Sequence, residues 1–342
     1  MKGGSIMFKN SLFRQAIRLG VALILVISLA TVSQAAGQKI TIKAVTAWPK
    51  TVWEVGNFMK FMDIVKERVA KEYPGQLEIQ YAGGPEVIPN QEQVEAARMG
   101  VVDMVFTTDG YYVSAVPEVN ALSVSMLDGW EERAKGVNAL LDKIHQEKIN
   151  CVYLGRLGHN LPFTIYLTKP VKGLNDLKGL KIRCSPTLIG FLKKIGASPV
   201  VIPPPEVYTA LERGVVDGFA WPAGLIRDWG WEKVTKYVVQ PGVYNGANVI
   251  VINKKKWDEI PGNLHKLLIQ AEDDAARFAK QRAVDLIKNE EEALKKMGIQ
   301  YIQLPPAEAK ELTDVAYSAL WDVIIEKSPV NGPKLKEMVS KP

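Results

Sequence analysis

The stretch LKGLKIRCSPTLIGFLKKIGASPVVIPPPEVYTALERGVVDGFAWP, residues 177–222 of the 342-residue chain, decides the reading of the fold. LKGLKIRC alternates apolar and polar residues over a strand's length and ends near Arg183, just before Ser185-Pro186 breaks the strand. A helix over 187–196, a proline-rich crossover and a second helix over 206–213 follow; Gly214 stops the second helix, and VVDGFAW is a strand ending on Trp221. Strand, helix and strand in this order predict parallel pairing, with both strands delivering their last residues to one sheet edge. That edge is where α/β proteins place ligands. The expectation is that Arg183 and Trp221 face one small acidic ligand, because a guanidinium presents a planar fork of donors that matches a carboxylate. On the local pattern alone, a surface or ion-paired arginine at a strand end is an equal reading.

Upstream, KITIKAVTAW predicts a first strand and 55–71 a helix, with Phe58, Phe61, Met62, Val65 and Val69 near 3.6-residue spacing. LEIQYA is a strand, 89–99 a helix, and VVDMVFT a strand closing on Thr108-Asp109-Gly110. Strands alternating with helices predict a wound α/β sheet. One unit occurs twice. Glu86-Val87 leads a helix ending Ala97-Arg98-Met99-Gly100, followed by Val101-Val102-Asp103; Glu206-Val207 leads one ending Leu211-Glu212-Arg213-Gly214, followed by Val215-Val216-Asp217. In each, glycine takes the left-handed cap that stops a helix and the next strand starts on two β-branched residues. Two lobes built on one unit are expected; a common helix-to-strand connection used twice is the plainer alternative.

Between these motifs lie a linking helix over 131–147, the strand INCVYLGRL, a loop over 158–163 that holds His159, and the strand IYLTKP. Past residue 222, the segment 226–234 reads as a turn and short helix in which Trp229 and Trp231 pack, and YNGANVIVINKKKW as one strand with Tyr244 and Asn245 at its start. From 263 to 296 there is neither proline nor glycine, so a continuous helix about 50 Å long can lie along both lobes. IQYIQLP is a strand and 307–327 a last helix. Lobe I is expected to take residues 36–160, with 247–285 returning to it, and lobe II residues 161–246, with 286–330 packing on it.

The N-terminus carries Lys2, Lys9, Arg14 and Arg18, then an apolar run over 19–30, then Ser33-Gln34-Ala35. That is an export signal, 1–35, cut after Ala35. Its apolar run of twelve residues falls short of the roughly 20 a bilayer anchor needs. The segment holds four of the 43 Lys and Arg residues and none of the 37 acidic ones, so its removal takes the formal charge from +6 to +2. The high isoelectric point therefore says little about partners, and no basic cluster with interleaved aromatics predicts nucleic acid binding. A hydrophobic content of 47% is ample for two cores. Cys151 and Cys184 are a disulfide or two buried thiols, and neither lies at the cleavage site, as a lipid anchor would require. A soluble protein outside the cytoplasm is expected.

The motifs HExxH, GxSxG, CxxC, the P-loop and GxGxxG are all missing. His145 and His265 read as solvated helix residues, and no two carboxylates form a recognisable acid/base pair. No metal site, no cofactor and no enzymatic activity are expected.

With these residues in view, LKGLKIR followed by GASPVVIPPPEVYTALERGVVDG resembles the second-lobe motif of the TRAP-transporter solute-binding proteins, the DctP-like extracytoplasmic receptors. GGPEVIPNQEQVEAARMGVVDM is similar to their first-lobe motif, the long late helix also fits, and the resemblance covers nearly all of the mature chain. It implies a two-lobed periplasmic-binding-protein-like fold, each lobe a wound α/β sheet, with a long helix spanning both. Such a receptor closes on an organic acid and hands it to a TRAP membrane permease driven by an ion gradient. Arg183 falls on the family's carboxylate-binding arginine. The residue after VDG-x-x, Asn in the sialic-acid branch, is Trp221 here as in the keto-acid branch, and the place of the sialic-acid branch's second arginine is held by Phe163. Both departures count against sialic acid; Ala220 and Cys184 count against a bound cation.

Physically, those departures leave one charged fork and apolar walls. Trp48, ending the first strand, and Tyr244 would add aromatic area. The expected ligand-facing set is Arg183, Trp221, Phe163, Trp48, Tyr244 and Glu86. Phe163 reads equally as core, and Glu86, Gln91 and Gln93 are explained equally by capping of the nearby helix. The ligand would be a monocarboxylate with an apolar or aromatic body, or a dicarboxylate. Two other functions are compatible: an exported enzyme with a carboxylate pair across the cleft, and an ABC-importer receptor for amino acids in which Asp109 or Glu86 holds the amine.

Overall fold

A computed structural model describes residues 39–158 and 161–340 of the chain. The export segment with its cut after Ala35, and His159, lie outside the described residues. The chain starts β1 (Ile40–Thr46), α1 (Trp53–Glu72), β2 (Leu77–Gly83), α2 (Gln93–Arg98) and β3 (Met104–Thr108), then passes through short 3₁₀ turns to α3 (Gly129–Ala134), α4 (Val137–Ile149) and β4 (Cys151–Arg156). It crosses to β5 (Pro162–Leu167), β6 (Lys181–Cys184), α5 (Ile189–Lys194), β7 (Ser198–Val201), α6 (Val207–Glu212), β8 (Gly218–Pro222) and β9 (Tyr237–Asn245). It returns through β10 (Asn248–Asn253) and α7 (Lys254–Asp258), and closes with α8 (Gly262–Lys296), β11 (Gln300–Gln303), α9 (Pro306–Lys327) and α10 (Asn331–Val339).

Two sheets result, ordered β2-β1-β3-β10-β4 and β11-β9-β5-β8-β6-β7. We call them the sheets of lobe I and lobe II. β6 lies parallel between β7 and β8, with Arg183 opposite Val200 and Phe219. Pairing is not parallel throughout: β10 is antiparallel to β3 and β4, and β5 to β8 and β9. These are the strands that change lobes, and a strand entering a sheet from the other lobe reaches its slot without a crossover helix. The stretch 244–257, read as one strand, is the turning point between β9 and β10. The linking helix over 131–147 is two helices, because the backbone at Gly136 turns to φ +80°.

The repeated unit is real at the level of single hydrogen bonds. Gly100 (φ +76°) and Gly214 (φ +67°) take the left-handed cap, which an L side chain rarely adopts. The amide of Val101 donates to the Ala96 carbonyl and that of Val215 to the Ala210 carbonyl, both at 2.9 Å. Asp103 accepts from the Lys43 amide at 2.7 Å and Asp217 from the Lys181 amide at 3.0 Å, while each aspartate's own amide returns a bond to the same lysine's carbonyl. The aspartate thus clamps the neighbouring parallel strand.

Helix α8 ties the lobes. At 1.5 Å per residue its 35 residues extend about 52 Å. Its first half buries Leu264, Leu267, Leu268, Ala271 and Ala275 in the lobe I core beside Phe58, Phe61 and Phe106; its second half buries Ala283 and Leu294 with lobe II residues Tyr166, Phe219 and Trp231. Alanines at 271, 275, 279 and 283, spaced by four, make a low ridge along which neighbours approach closely. Helix α9 packs in one core with Val119 and Leu122 of lobe I and with Phe191 and Val243 of lobe II, and Leu335 and Val339 of α10 join it. Cys151 and Cys184 are buried free thiols in different sheets.

Candidate functional site

The carboxyl ends of β6 and β8 face the carboxyl ends of β1 and β3 across a narrow cleft. Lobe I lines it with Trp48, Glu54, Thr108, Tyr111 and Asn248, and lobe II with Leu161, Phe163, Ser185, Trp221, Pro222 and Leu225. The lobes touch here: Asp228, after β8, accepts from the Trp53 amide at the start of α1 at 2.8 Å, and the cavity left between them is only ≈ 30 Å³.

Arg183 sits behind Trp221 on the lobe II side. It is 2% exposed; Nε donates to the Ile202 carbonyl at 2.8 Å, and Nη1 has no partner among the described residues. Its guanidinium lies 5.0 Å from the Trp221 ring centroid and 5.9 Å from that of Trp231. Burial pulls its pKa below the ordinary value, and the Tyr111 phenol nearby acts the other way. Cation–π contact supplies about 0.5–2 kcal/mol, while an unpaired buried charge costs several. An anion is the group that closes this deficit. Trp221 is itself fixed by Trp231 (4.9 Å between centroids) and Trp229 (6.2 Å), the pair expected to pack together.

On the lobe I side Trp48 is 3% exposed and held against Phe106 and Tyr111; its indole N–H, like that of Trp221, has no acceptor among the described residues. Gln93, 0% exposed, holds the end of β1 by donating to the carbonyls of Thr46 (2.8 Å) and Ile88 (3.0 Å). Glu54 occupies the first turn of α1 and is 2% exposed, and its Oε2 has no partner among the described residues. Burial, with a smaller push from Asp228, raises its pKa to about 8 against the pull of its own backbone amide. A helix N-terminus favours an anion by at most about 2 kcal/mol, and burial outweighs that. Tyr111 stands between the two lobes' charges: burial raises its phenol to about 12, Arg183 pulls it down and Glu54 pushes it up.

Three of the six expected residues, Trp221, Phe163 and Trp48, therefore line one cleft, and Arg183 lies directly behind Trp221. Tyr244 does not. Its hydroxyl donates to the Ala316 carbonyl of α9 at 2.5 Å and its ring packs on Phe191 and Tyr317, because β9 turns at φ +56° there and sends the side chain away from the cleft. Glu86 is exposed and accepts from the Gly84 amide at 2.6 Å, a turn-stabilising role. Asp109 is satisfied by Ser123, Thr108 and the Gly110 amide. His145 is not solvated: it is 0% exposed, bonded to the Tyr112 hydroxyl and the Leu141 carbonyl, and burial lowers its pKa to about 4. Glu54 and Tyr111 carried no sequence signal.

The model of the DctP family, bacterial extracellular solute-binding proteins of family 7, matches residues 48–327, from the cleft tryptophan of lobe I through α9. The chain belongs to this family. It is a solute-binding receptor, and its structural neighbours are two-lobed TRAP periplasmic solute-binding proteins. The 2,3-diketo-L-gulonate-binding periplasmic protein YiaO of Escherichia coli is 24% identical over 289 residues, which are 81% of this chain and 84% of the relative. A monocarboxylate 2-oxoacid-binding periplasmic protein of Nostoc is 26% identical over 228 residues, 63% of this chain and 60% of the relative. Among solved structures, an extracytoplasmic solute receptor of Bordetella pertussis binding pyroglutamic acid superposes with a TM-score of 0.76 at 23% identity, covering 88% of this receptor and 99% of that one. A Desulfovibrio salexigens protein with bound orotic acid gives 0.77 at 21% identity, covering 88% and 97%. The DctP fold is thus common to chains of low identity, and the repeated clamps at Asp103 and Asp217 are part of what this receptor uses to build it.

Proposed function

We propose that this receptor binds a small organic carboxylate between its lobes, in the periplasm after cleavage at Ala35, and delivers it to a TRAP-type permease. The observation that carries the reading is Arg183, a guanidinium 2% exposed, without an ion pair among the described residues and with Nη1 unpartnered behind the cleft tryptophan. In support, the acids named for its relatives and neighbours, diketogulonate, 2-oxoacids, pyroglutamate and orotate, all bear a carboxylate.

A ligand bridging both lobes binds the closed state better and so populates it. Arg183 and Trp221 belong to lobe II and Trp48 and Glu54 to lobe I, so only the closed state offers both sets to one molecule. The contact from the Trp53 amide to Asp228 belongs to that state as well. An enzyme working by a carboxylate pair has little to use here, since among the described residues Glu54 is the one carboxylate lining the cleft. An amino-acid receptor relying on Asp109 or Glu86 finds both engaged in their own turns.

A thermal-shift screen of the mature protein against organic acids, amino acids and sugars tests the proposal. A ligand at a hundredfold excess over Kd stabilises the fold by about 2.7 kcal/mol, a readily visible shift. A hit among carboxylates that disappears in Arg183→Ala supports the proposal. Silence among acids with hits among sugars contradicts it.

A further inference from the structure

Glu54 lines the cleft while 2% exposed, and its Oε2 finds no partner among the described residues. The charged and titratable groups around it come from four places. Asp228 of lobe II stands at the start of α1, bonded to the Trp53 amide. Tyr111 reaches in from the turn after β3 and feels Glu54 and Arg183 together. Arg183 lies on the lobe II side, beyond Tyr111. Arg282 of α8 stacks on Trp53, and its Nη1 donates to the side-chain Oδ1 of Asn57. Among the described residues no cation is paired with Glu54, and its strongest charged neighbour is another carboxylate.

We propose that Glu54 serves as a neutral carboxylic acid that restricts the cleft to monoanions, hydrogen-bonding the uncharged end of a ligand whose carboxylate is held by Arg183. The inference rests on the carboxylate-receptor reading above. A protonated carboxyl offers one O–H donor and one carbonyl acceptor, and so meets a ketone, a hydroxyl or a lactam equally well. A second carboxylate on the ligand would lie against Glu54 and Asp228, and among the described residues no lysine or arginine lines the cleft to receive it. An ammonium would be matched there only after Glu54 had lost its proton to solvent, which burial opposes. The cleft therefore takes acids with one carboxylate and a neutral far end, and turns away dicarboxylates and zwitterions. The raised pKa agrees with this: at neutral pH the empty cleft holds the protonated form.

Calorimetric titration between pH 6 and 9.5 tests the inference on three five-carbon ligands, 4-oxopentanoate, 2-oxoglutarate and 5-aminopentanoate, with pyroglutamate as a lactam probe. One or both monoacids are expected to bind at least about tenfold tighter than 2-oxoglutarate and 5-aminopentanoate at pH 7. Only the neutral form of Glu54 is competent, so wild-type affinity falls about 30-fold from pH 7 to 9.5. Glu54→Gln, similar in shape and always neutral, loses this pH dependence and keeps one affinity from pH 7 to 9.5. A ligand-free readout accompanies this. A carboxyl whose folded pKa is raised lowers stability progressively as pH rises from its ordinary value to about 8, so above pH 8 Glu54→Gln melts higher than wild type. A flat wild-type binding profile, an equal pH dependence in Glu54→Gln, or tightest binding of 2-oxoglutarate or 5-aminopentanoate overturns the role of Glu54 while leaving a carboxylate receptor in place. If the wild type binds none of the four, the same pH series on the acid found in the thermal-shift screen decides the role of Glu54; silence of that screen across all acids is what overturns the carboxylate reading, and this inference with it.

Discussion

Asp103 in lobe I and Asp217 in lobe II hold the same place in the same helix–turn–strand unit and make the same two bonds to a neighbouring strand. The cleft residues that follow differ in kind. Lobe II presents a buried cation over two tryptophans packed edge to face; lobe I presents a tryptophan and a buried acid with no cation paired to it among the described residues. The shared scaffold fixes where strand ends point, and the residues just past those ends decide what is recognised. A ligand meeting both lobes is therefore read for charge by one and for neutrality by the other.

The sharpest way to break that contrast is Arg183→Ala. Removing one partner of a desolvated charge pair costs roughly 2–5 kcal/mol, or about 30- to several-thousand-fold in affinity for the acid found in the screen. Calorimetry that finds less than a threefold loss would place the charge reading elsewhere. Next comes Gly218, where the lobes diverge inside the repeated motif: the corresponding lobe I residue is Met104. A Cβ at Gly218 would lie 2.3 Å from the Tyr166 carbonyl oxygen, since β8 passes close to β5 there. Gly218→Ala should lower stability in urea unfolding by about 1–3 kcal/mol.

Asp228→Ala removes the capping contact between lobes and should weaken ligand binding by a smaller step, on the order of three- to tenfold, as lost helix caps do. Stopped-flow fluorescence should place the loss in faster ligand release. Least of all, Tyr244→Phe should leave affinity unchanged while lowering stability by about 1 kcal/mol, because its hydroxyl serves α9 and not the cleft. A measurable loss of affinity in Tyr244→Phe would return that residue to the site.

How much of this was legible in the sequence differs between the lobes. Arg183 and Trp221 stand at the ends of strands whose periodicity and breakers are local signals, and parallel pairing brings those ends together. The long helix was likewise visible from a run without proline or glycine. Glu54 gave no such signal, because a glutamate in a first helical turn is ordinary and only tertiary burial leaves it without a partner. Tyr244 was misplaced because the stretch 244–257 reads as one strand starting at Tyr244, whereas Tyr244 and Asn245 end β9; the turn into β10 depends on a change of sheet that no local pattern marks. His145 looked solvated among charged neighbours, yet its ring faces inward to Tyr112.

The central claim, that Arg183 receives the carboxylate of a ligand closed between the lobes, is tested most directly by a double cycle. The acid found in the screen and its primary amide are each titrated into wild type and Arg183→Ala. If the pairing is right, wild type prefers the acid strongly and the variant loses nearly all of that preference, a coupling of about 2 kcal/mol or more. An acid preference that survives intact in Arg183→Ala would contradict the claim.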